Sequence, residues 1–385
     1  MLQETEIRRR EQVPFRVRTA DGETIELTYS SPRVAEEHDE QEVLESLPWF
    51  ESGKPLRNYL LHQTDLYDEV EEIWGRRWGA EGLGTLREVL VSAPTENETR
   101  PEYAQEWQYY YSSAAGNADL GRLRAQYDEY HQVLADHGVR VNHLEAPVPA
   151  IGPYGYIKNL VTLAGAGLCV KGGVVIHRYG LGSWQRGREV IWSKALAALQ
   201  VPIYLTIHGR GICEPGAGRW LDSGTFVFNE SVVANEEGLR QLAFVLENLG
   251  VELVVTHSPG WYDSIGHGSI GTSHMDMVCL VPDRRVIVLA PHLVNYGFVR
   301  WLKERDFRIV EVPMEEYWDL AVNGVTLAPG KVVINRGSPA VVQALDEAGV
   351  EVIQIDFSES QKFAIAGLHC ATLELVRDQP GPLLD

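Results

Sequence analysis

Apolar and polar positions follow one recurring pattern from residue 86 to residue 378. A stretch with apolar residues three and four positions apart, which is typical of an amphipathic helix, is followed by a short break. A run that alternates or is continuously apolar comes next, which is typical of a strand. The pattern occurs five times, in segments that end at Pro147, Gly209, Ser258, Pro313 and Asp356. The sequence therefore predicts five helix–strand pairs.

The breaks between helix and strand are of two kinds. Gly138, Gly250 and Gly349 suit the left-handed residue that closes a helix. The breaks near Gln200 and Asp306 lack a glycine, so the repeat is degenerate there.

Further strand signals precede most of these helices: LREVLVSAP, LCVKGGVVIHR, GTFVFNESVVA, MVCLVPDRRVIVLAP and VTLAPGKVVIN. Two of them contain a tight turn, at Lys171–Gly173 and at Pro282–Arg285. The chain from 86 to 378 thus resolves into five ββαβ units of roughly 45–60 residues, too small to bury their own apolar faces alone. This favours units stacked around an axis. A doubly wound α/β sheet, which also alternates strands and helices, is the alternative.

Residues 1–82 do not follow the repeat. FRVRTADGETIELTYSS predicts a hairpin around Asp21-Gly22, EEHDEQEVLESL an acidic helix, and NYLLHQTDLYDEVEEIWGRRW an amphipathic helix. We expect 1–82 to be an N-terminal extension that packs on the core or makes a dimer contact. We expect 83–385 to be a separate domain that contains the repeat, and the protein to be a homo-oligomer.

The charge balance narrows the choice of partners. The 385 residues include 54 acidic and 34 basic side chains, for a net charge of −20. Such a charge argues against nucleic acid or an anionic membrane surface as the main partner. It would attract a cationic small molecule, although solubility alone also accounts for it.

The cysteines indicate the compartment. Cys169, Cys213, Cys279 and Cys370 are far apart, with no C-x-x-C and no dense disulfide framework. The start, MLQETEIRRREQ, has no apolar signal core, and no apolar run of 18 residues follows. We expect a soluble, cytoplasmic protein with reduced cysteines.

SHMDMVCLV carries the clearest candidate chemistry. Read as a strand, it places His274 and Asp276 on one side and Met275 and Met277 on the other. A histidine and a carboxylate in an apolar strand are costly unless they are satisfied or functional. They predict either a buried hydrogen-bonded pair or a general acid/base with a carboxylate that grips a cation.

Other polar residues give weaker signals. Asp222 precedes a turn at Ser223-Gly224, where Asp is a common turn former, and Lys158-Asn159 stands at the entry to an apolar strand.

A metal site and a cysteine nucleophile are two further hypotheses. His267, His274 and Cys370 lack the paired spacing of zinc ligands, which disfavours a metal. A cysteine nucleophile needs its histidine near in space rather than in sequence, and a ring of units would allow that.

The stretches GTSHMDMVCLV and AGLHCATLELVRD resemble the guanidino-group-modifying, or pentein, superfamily. It includes arginine deiminase, dimethylarginine hydrolase, arginine and succinylarginine dihydrolases, and amidinotransferases. The resemblance extends from about Leu86 to Arg377. It implies an α/β fold, a five-bladed pseudo-symmetric ββαβ propeller with the N-terminal extension added, and no metal or organic cofactor. Residues 83–385 would be the catalytic domain.

The resemblance also implies roles for individual residues. Cys370 would be the nucleophile, His274 the acid/base, and Asp276 and Asp222 the carboxylates that hold the guanidinium and orient the histidine. Asp222 would stand where deiminases carry Glu in an E-G-G-D run, although this sequence reads LDSGT.

Two substrate-binding residues follow from the same resemblance. QRGREV is similar to the R-x-R-E stretch of deiminases, which makes Arg186 a candidate partner for a substrate carboxylate. Most of the family has R-D where this chain has Lys158-Asn159, and Asn159 lacks the charge of that Asp. Dihydrolases also carry Asn there.

The implied reaction is attack by Cys370 on a cationic guanidino substrate to form a covalent amidino-thioether. Hydrolysis of that intermediate makes a deiminase or a dihydrolase, which we expect. Transfer to an amine makes an amidinotransferase, and a non-catalytic binding module of the same fold is the third alternative.

Overall fold

The computed structural model describes residues 11–31, 39–46, 50–54, 66–95, 119–145, 150–152, 155–157, 166–180, 187–257, 274–364 and 366–378. The chain divides into two compact units, Met1–Trp78 and Gly79–Asp385. Within the described residues, no helix combines the length and the apolar character needed to cross a membrane.

The described part of the first unit contains the predicted hairpin and two helices. Strands β1 (Glu11–Arg18) and β2 (Thr24–Ser31) pair antiparallel. Gly22 in their turn has a φ of 85°, which glycine adopts without strain. Helix α1 spans Glu40–Glu45 and helix α2 spans Leu66–Trp74.

The second unit alternates strands and helices. The helices among its described residues are α3 (Leu120–Asp136), α4 (Arg188–Ala198), α5 (Glu236–Asn248), α6 (Tyr296–Lys303), α7 (Pro339–Asp346) and α8 (Ser358–Ala364). Its strands are β3 (Leu86–Ser92), β4 (Arg140–Leu144), β5 (Ala150–Gly152), β6 (Gly155–Ile157), β7 (Gly167–Val170), β8 (Gly173–Ile176), β9 (Ile203–Thr206), β10 (Gly218–Asp222), β11 (Thr225–Glu230), β12 (Glu252–His257), β13 (Cys279–Asp283), β14 (Val286–Leu289), β15 (Arg308–Glu311), β16 (Val325–Ala328), β17 (Lys331–Asn335), β18 (Glu351–Ile355) and β19 (Leu373–Arg377).

Five three-stranded sheets share one topology. Their strand orders are β7-β8-β9, β10-β11-β12, β13-β14-β15, β16-β17-β18 and β19-β3-β4. In each sheet the first two strands are antiparallel and the third joins parallel after a helix. The fifth sheet pairs β19, near the end of the chain, with β3, near the start of the second unit. This pairing joins the two ends of the repeat.

The breaks after the five helices have a common conformation. Gly138, Gly250 and Gly349 have φ values of 77°, 69° and 80°, as predicted. Gln200 and Asp306 stand at the corresponding points with φ values of 61° and 57°. The repeat therefore preserves the left-handed helix end. At two of the five positions a residue other than glycine adopts it.

A cavity of about 70 Å³ lies among the sheets. It is lined by residues of the first strand of every sheet, β7, β10, β13, β16 and β19. Arg219 of β10 is buried there and donates hydrogen bonds to the carbonyl oxygens of Cys279, Val322 and Gly324. One side chain thus links β10 to residues beside β13 and β16.

The strand predicted through His274 and Asp276 is wrong. Met275–Met277 forms a 3₁₀ turn, and strand β13 begins only at Cys279. Met277 N donates to the carbonyl oxygen of His274, and Asn323 Nδ2 donates to that of Asp276. The backbone groups are therefore satisfied within the turn and by a side chain rather than by a neighbouring strand.

Candidate active site

Cys370 lies in a tight turn immediately before β19. Thr372 Oγ1 donates to the carbonyl oxygen of Leu368 at 2.8 Å and lies 2.5 Å from Tyr130 Oη. The amide of His369 donates to the carbonyl oxygen of Asn323. Hydrogen bonds therefore hold the turn that carries the thiol against helix α3 and against the turn before β16.

Asp276 is the centre of the site. Its Oδ2 lies 3.4 Å from Cys370 Sγ and 3.0 Å from His369 Nδ1, which places both within hydrogen-bonding range. Its Oδ1 is 4.0 Å from His274 Nδ1 and has no hydrogen-bond partner among the described residues. Because Asp276 is 1% exposed, a buried carboxylate oxygen is left to accept a further hydrogen bond. The thiol of Cys370 and the imidazole of His274 thus flank the carboxylate of Asp276.

Glu214 is a site residue that the sequence analysis missed. Its Oε2 lies 3.1 Å from His274 Nε2, and its Oε1 accepts from Gly180 N at 2.9 Å. The side chain is fully buried. The signal for it was present, since Glu214-Pro215-Gly216 keeps the Glu and the second Gly of the E-G-G-D run, eight residues before Asp222.

Gly216 allows the Glu214 segment to approach the histidine. A Cβ at this position would lie 2.7 Å from His274 Nδ1 and 3.2 Å from Asp276 Oδ1. Glycine is therefore required for the 3₁₀ turn Pro215–Ala217 to pack against both side chains.

Two neighbouring carboxylates raise the pKa of His274. Burial alone lowers the pKa of His274, but the hydrogen bond to Glu214 and the charges of Glu214 and Asp276 outweigh it and raise the pKa. Burial opposes ionisation of Asp276, yet the hydrogen bond from His369 and the charges of His369, His274 and Arg219 hold its pKa at about 2.

The thiol is in the opposite situation. Burial, and then the negative charge of Asp276, raise the pKa of Cys370 well above its ordinary value. Cys370 is therefore protonated at neutral pH in the empty site. A positive charge placed beside Asp276 would favour the thiolate.

Asp222, a further predicted residue, is not part of this group. Asp222 ends β10 and its Oδ1 accepts from Gly224 N at 2.8 Å, the turn-forming alternative considered above. No described contact joins it to His274, Asp276 or Cys370, and Glu214 holds the histidine instead. Asn159 and Arg186 lie outside the described residues.

No group of three or more His, Cys, Asp or Glu side chains suited to hold a metal ion occurs within the described segments. Cys169, Cys213 and Cys279 are fully buried free thiols. Cys370 is the partly exposed one.

Comparison with known proteins supports the family resemblance. The family model "Arginine deiminase" matches residues 272–377, which contain His274, Asp276 and Cys370. The chain is 25% identical over 357 residues to a 2-nitroimidazole nitrohydrolase of a Mycobacterium species, covering 89% of this chain and 93% of that protein. It is 24% identical over 262 residues to the N(G),N(G)-dimethylarginine dimethylaminohydrolase of Pseudomonas aeruginosa, covering 68% and 92%.

A solved structure shows the same α/β fold. The N-terminal domain of ArgZ, an arginine dihydrolase of cyanobacteria, superposes with a TM-score of 0.62 at 16% identity, covering 76% of this chain and 99% of that chain. These matches confirm the resemblance to the pentein superfamily that the two motifs predicted.

Proposed function

We propose that this chain is a cysteine-dependent hydrolase that cleaves a C–N bond at a carbon bonded to three nitrogens. Its substrate would be the guanidino group of arginine or a related guanidine. The observation that carries the proposal is the grouping of Cys370 Sγ and His274 around Asp276, with Oδ1 left to accept a substrate N–H. Glu214 takes the role predicted for Asp222, because it is the carboxylate that contacts His274.

In the first step a guanidinium binds beside Asp276 and offsets its negative charge. Cys370 then gives its proton to solvent, and the thiolate attacks the central carbon, which forms the C–S bond. The departing nitrogen takes a proton from His274, whose pKa is raised by its carboxylate neighbours. The amine leaves and a covalent amidino-thioether remains.

In the second step water resolves the intermediate. His274, now neutral, takes a proton from water, and the oxygen attacks the same carbon. The C–S bond breaks as the carbonyl of the urea forms, and the departing thiolate takes the proton of the C–OH group, which regenerates the thiol of Cys370. The balance is one guanidine and one water consumed, and one urea and one ammonia or amine formed.

A second substrate is favoured by the similarity to the 2-nitroimidazole nitrohydrolase, which spans 89% of this chain. The C2 carbon of 2-nitroimidazole is also bonded to three nitrogens, and its leaving group is nitrite. Asn159 replaces the charged residue that most of the family uses against a guanidinium, and an amide suits a neutral ring better than a cation. Water would then yield the imidazolone, nitrite and a proton.

Two alternatives remain from the family. An amidinotransferase would use the same intermediate with an amine in place of water. A non-catalytic binding module would have no need of the grouped Cys370, His274 and Asp276.

We also propose that the five sheets close into a five-bladed propeller, with residues 1–82 as the N-terminal extension. Support comes from the cavity lined by the first strand of each sheet and from the pairing of β19 with β3. A cytoplasmic, homo-oligomeric enzyme remains our expectation.

The decisive experiment incubates the protein with arginine, dimethylarginine and 2-nitroimidazole, with and without glycine as an acceptor amine. Ammonia or amine, nitrite and ornithine are measured separately, and intact-protein mass spectrometry is used to find an adduct on Cys370. Cys370→Ser is the test variant, and Cys279→Ser, at a fully buried thiol of β13, is the matched control.

We expect a product from water alone and an adduct that Cys370→Ser abolishes and Cys279→Ser keeps. Nitrite from 2-nitroimidazole with no turnover of guanidines would select the second substrate. Ornithine formed only with the acceptor would establish transfer. No product and no adduct with any compound would refute the enzymatic proposal.

A further inference from the structure

Asn323 lies at the nucleophile although neither motif includes it. It ends the 3₁₀ turn Ala321–Asn323 before β16 and is fully buried. Its Nδ2 donates to Cys370 Sγ at 3.2 Å, and its Oδ1 accepts from Cys370 N at 3.0 Å. One amide therefore contacts both the sulfur and the backbone of the same residue.

We propose that Asn323 is a further catalytic residue, whose N–H stabilises the thiolate of Cys370 and whose carbonyl oxygen fixes the position of the nucleophile. This inference rests on the proposed role of Cys370 as the nucleophile. What it adds is the identity of the group that stabilises a buried thiolate next to a carboxylate.

The need for such a donor follows from the surroundings of the sulfur. Cys370 Sγ lies 3.4 Å from Asp276 Oδ2, and a thiolate there would face a negative charge in a buried site. Asn323 is the one side chain among the described residues that donates a hydrogen bond to Sγ. A hydrogen bond to a charged acceptor is about twice as strong as one between neutral groups, so the donor gains strength when the thiol ionises.

The side chain is held in place from several directions. Nδ2 also donates to the carbonyl oxygen of Asp276 at 3.0 Å. The backbone oxygen of Asn323 accepts from His369 N at 2.9 Å. A Cβ on Gly367 would lie 2.6 Å from both Cβ and Oδ1 of Asn323, so the nucleophile's turn packs directly on this amide. The donor is therefore positioned before any substrate binds.

A buried asparagine with a structural role offers the matched comparison. Asn335 at the end of β17 also bridges two backbone groups, accepting from Phe357 N at 2.8 Å and donating to the carbonyl oxygen of Asp319 at 2.8 Å. It has no described contact with Cys370. Loss of its amide donor should destabilise the fold without changing the thiol.

The test measures the pKa of Cys370 from the pH dependence of its alkylation by iodoacetamide, with the site located by mass spectrometry. The other three cysteines are fully buried and serve as internal references. Asn323→Asp keeps the acceptor for Cys370 N but removes the donor, and Asn335→Asp makes the same change in the control. Melting temperature is measured for each variant, and Asn323→Ser provides the comparison if Asn323→Asp does not fold.

We expect Asn323→Asp to raise the pKa of Cys370 and to slow alkylation at neutral pH by about tenfold or more, since one pKa unit is a tenfold change in thiolate. Asn335→Asp should lower the melting temperature and leave the alkylation profile unchanged. An unchanged profile in Asn323→Asp and Asn323→Ser, or equal changes in both asparagine variants, would overturn the inference. Alkylation needs no substrate, so a failed substrate panel would refute the proposed function and leave this result standing.

Discussion

His274 Nε2 lies 3.1 Å from Oε2 of Glu214, a fully buried carboxylate. A short turn separates Glu214 from strand β10. The two residues are 60 positions apart in sequence and belong to different units of the repeat. Their pairing gives His274 the raised pKa that a proton donor to a leaving group requires.

Replacement of Glu214 by Gln should lower the pKa of His274, because the neighbouring negative charge and the charge-assisted hydrogen bond are lost. We expect kcat to fall by roughly 10²–10⁴, and the pH–rate limb that belongs to His274 to move to lower pH. Asp222→Asn, at the carboxylate that the sequence favoured, should have the smaller effect. Glu88→Gln, at a buried carboxylate paired with Arg140, is the control for loss of a buried charge.

The same variant has a pH-dependent effect on stability. The folded pKa of His274 is raised, so its pairing with Glu214 stabilises the fold fully below about pH 6.5 and loses this effect as the pH rises through the folded pKa. The free energy of unfolding of Glu214→Gln should therefore differ most from that of the wild type at mildly acidic pH. A difference that grows with pH would contradict the assignment.

Asp276→Asn should separate thiol reactivity from turnover. The charge of Asp276 raises the pKa of Cys370, so its removal should speed alkylation of the empty protein at neutral pH. Turnover should fall because the carboxylate that accepts the substrate is lost. Asp283→Asn, at the far end of β13, is the control. Slower alkylation in Asp276→Asn would contradict the placement of this charge.

Asp276 also makes an acid-dependent contribution to stability. Its folded pKa is about 2, below the ordinary 3.8, so the stabilisation is present above that ordinary value and is lost as the pH falls towards 2. The contribution at neutral pH is on the order of 2 kcal/mol. Urea unfolding of wild type and Asp276→Asn should therefore converge as the pH is lowered from 5 to 2.

Gly216→Ala tests the close approach of the Glu214 turn. Its Cβ would lie 2.7 Å from the His274 ring, so we expect the ring to shift and kcat to drop by about tenfold or more, with only a small loss of stability. Gly224→Ala is the control, because a Cβ there would lie 3.6 Å from Asp222 Oδ1, an ordinary contact. Equal activity in the two variants would show that the close approach is not needed.

Arg219→Met should weaken the fold around the cavity. The variant leaves the carbonyl oxygens of Cys279, Val322 and Gly324 without their buried donor. The free energy of unfolding should fall by roughly 3 kcal/mol or more. Arg308→Met, at a residue whose bond to Glu347 O is exposed, is the control and should stay within about 0.5 kcal/mol. Urea denaturation measures the free energy of unfolding of both variants. A loss of that size in Arg308→Met, or no loss in Arg219→Met, would contradict the stabilising role of the three Arg219 hydrogen bonds.

Local pattern was sufficient for most of the helices and strands. Apolar spacing predicted every helix–strand pair of the repeat, and Gly138, Gly250 and Gly349 marked helix ends, because a left-handed residue is a local requirement. The strand through His274 failed for a reason outside its own sequence. Asn323, 47 residues from Asp276, supplies the hydrogen bond that the turn takes in place of a strand neighbour.

The candidate site likewise contains residues that the sequence predicted and residues that only the structure placed there. Motif similarity identified His274, Asp276 and Cys370, because their residue types and near neighbours carry the resemblance. Asn323 contributes through contacts made across units, and no spacing along the chain records such contacts. Glu214 left a partial signal, because Glu214-Pro215-Gly216 keeps two residues of the E-G-G-D run. Asp222 was matched to the Glu of the E-G-G-D run because LDSGT also places an acid shortly before a glycine.

The sequence by itself determined the repeat, and it predicted Cys370 as a nucleophile and His274 as its acid/base. These depend on short-range periodicity and on a motif that lies within one segment. Only the tertiary structure decided which carboxylate holds His274 and which amide contacts the sulfur of Cys370. The reason is that the pKa values of His274 and Cys370 depend on burial and on contacts of about 3 Å. The folded chain makes these contacts by packing residues from different repeats against one another.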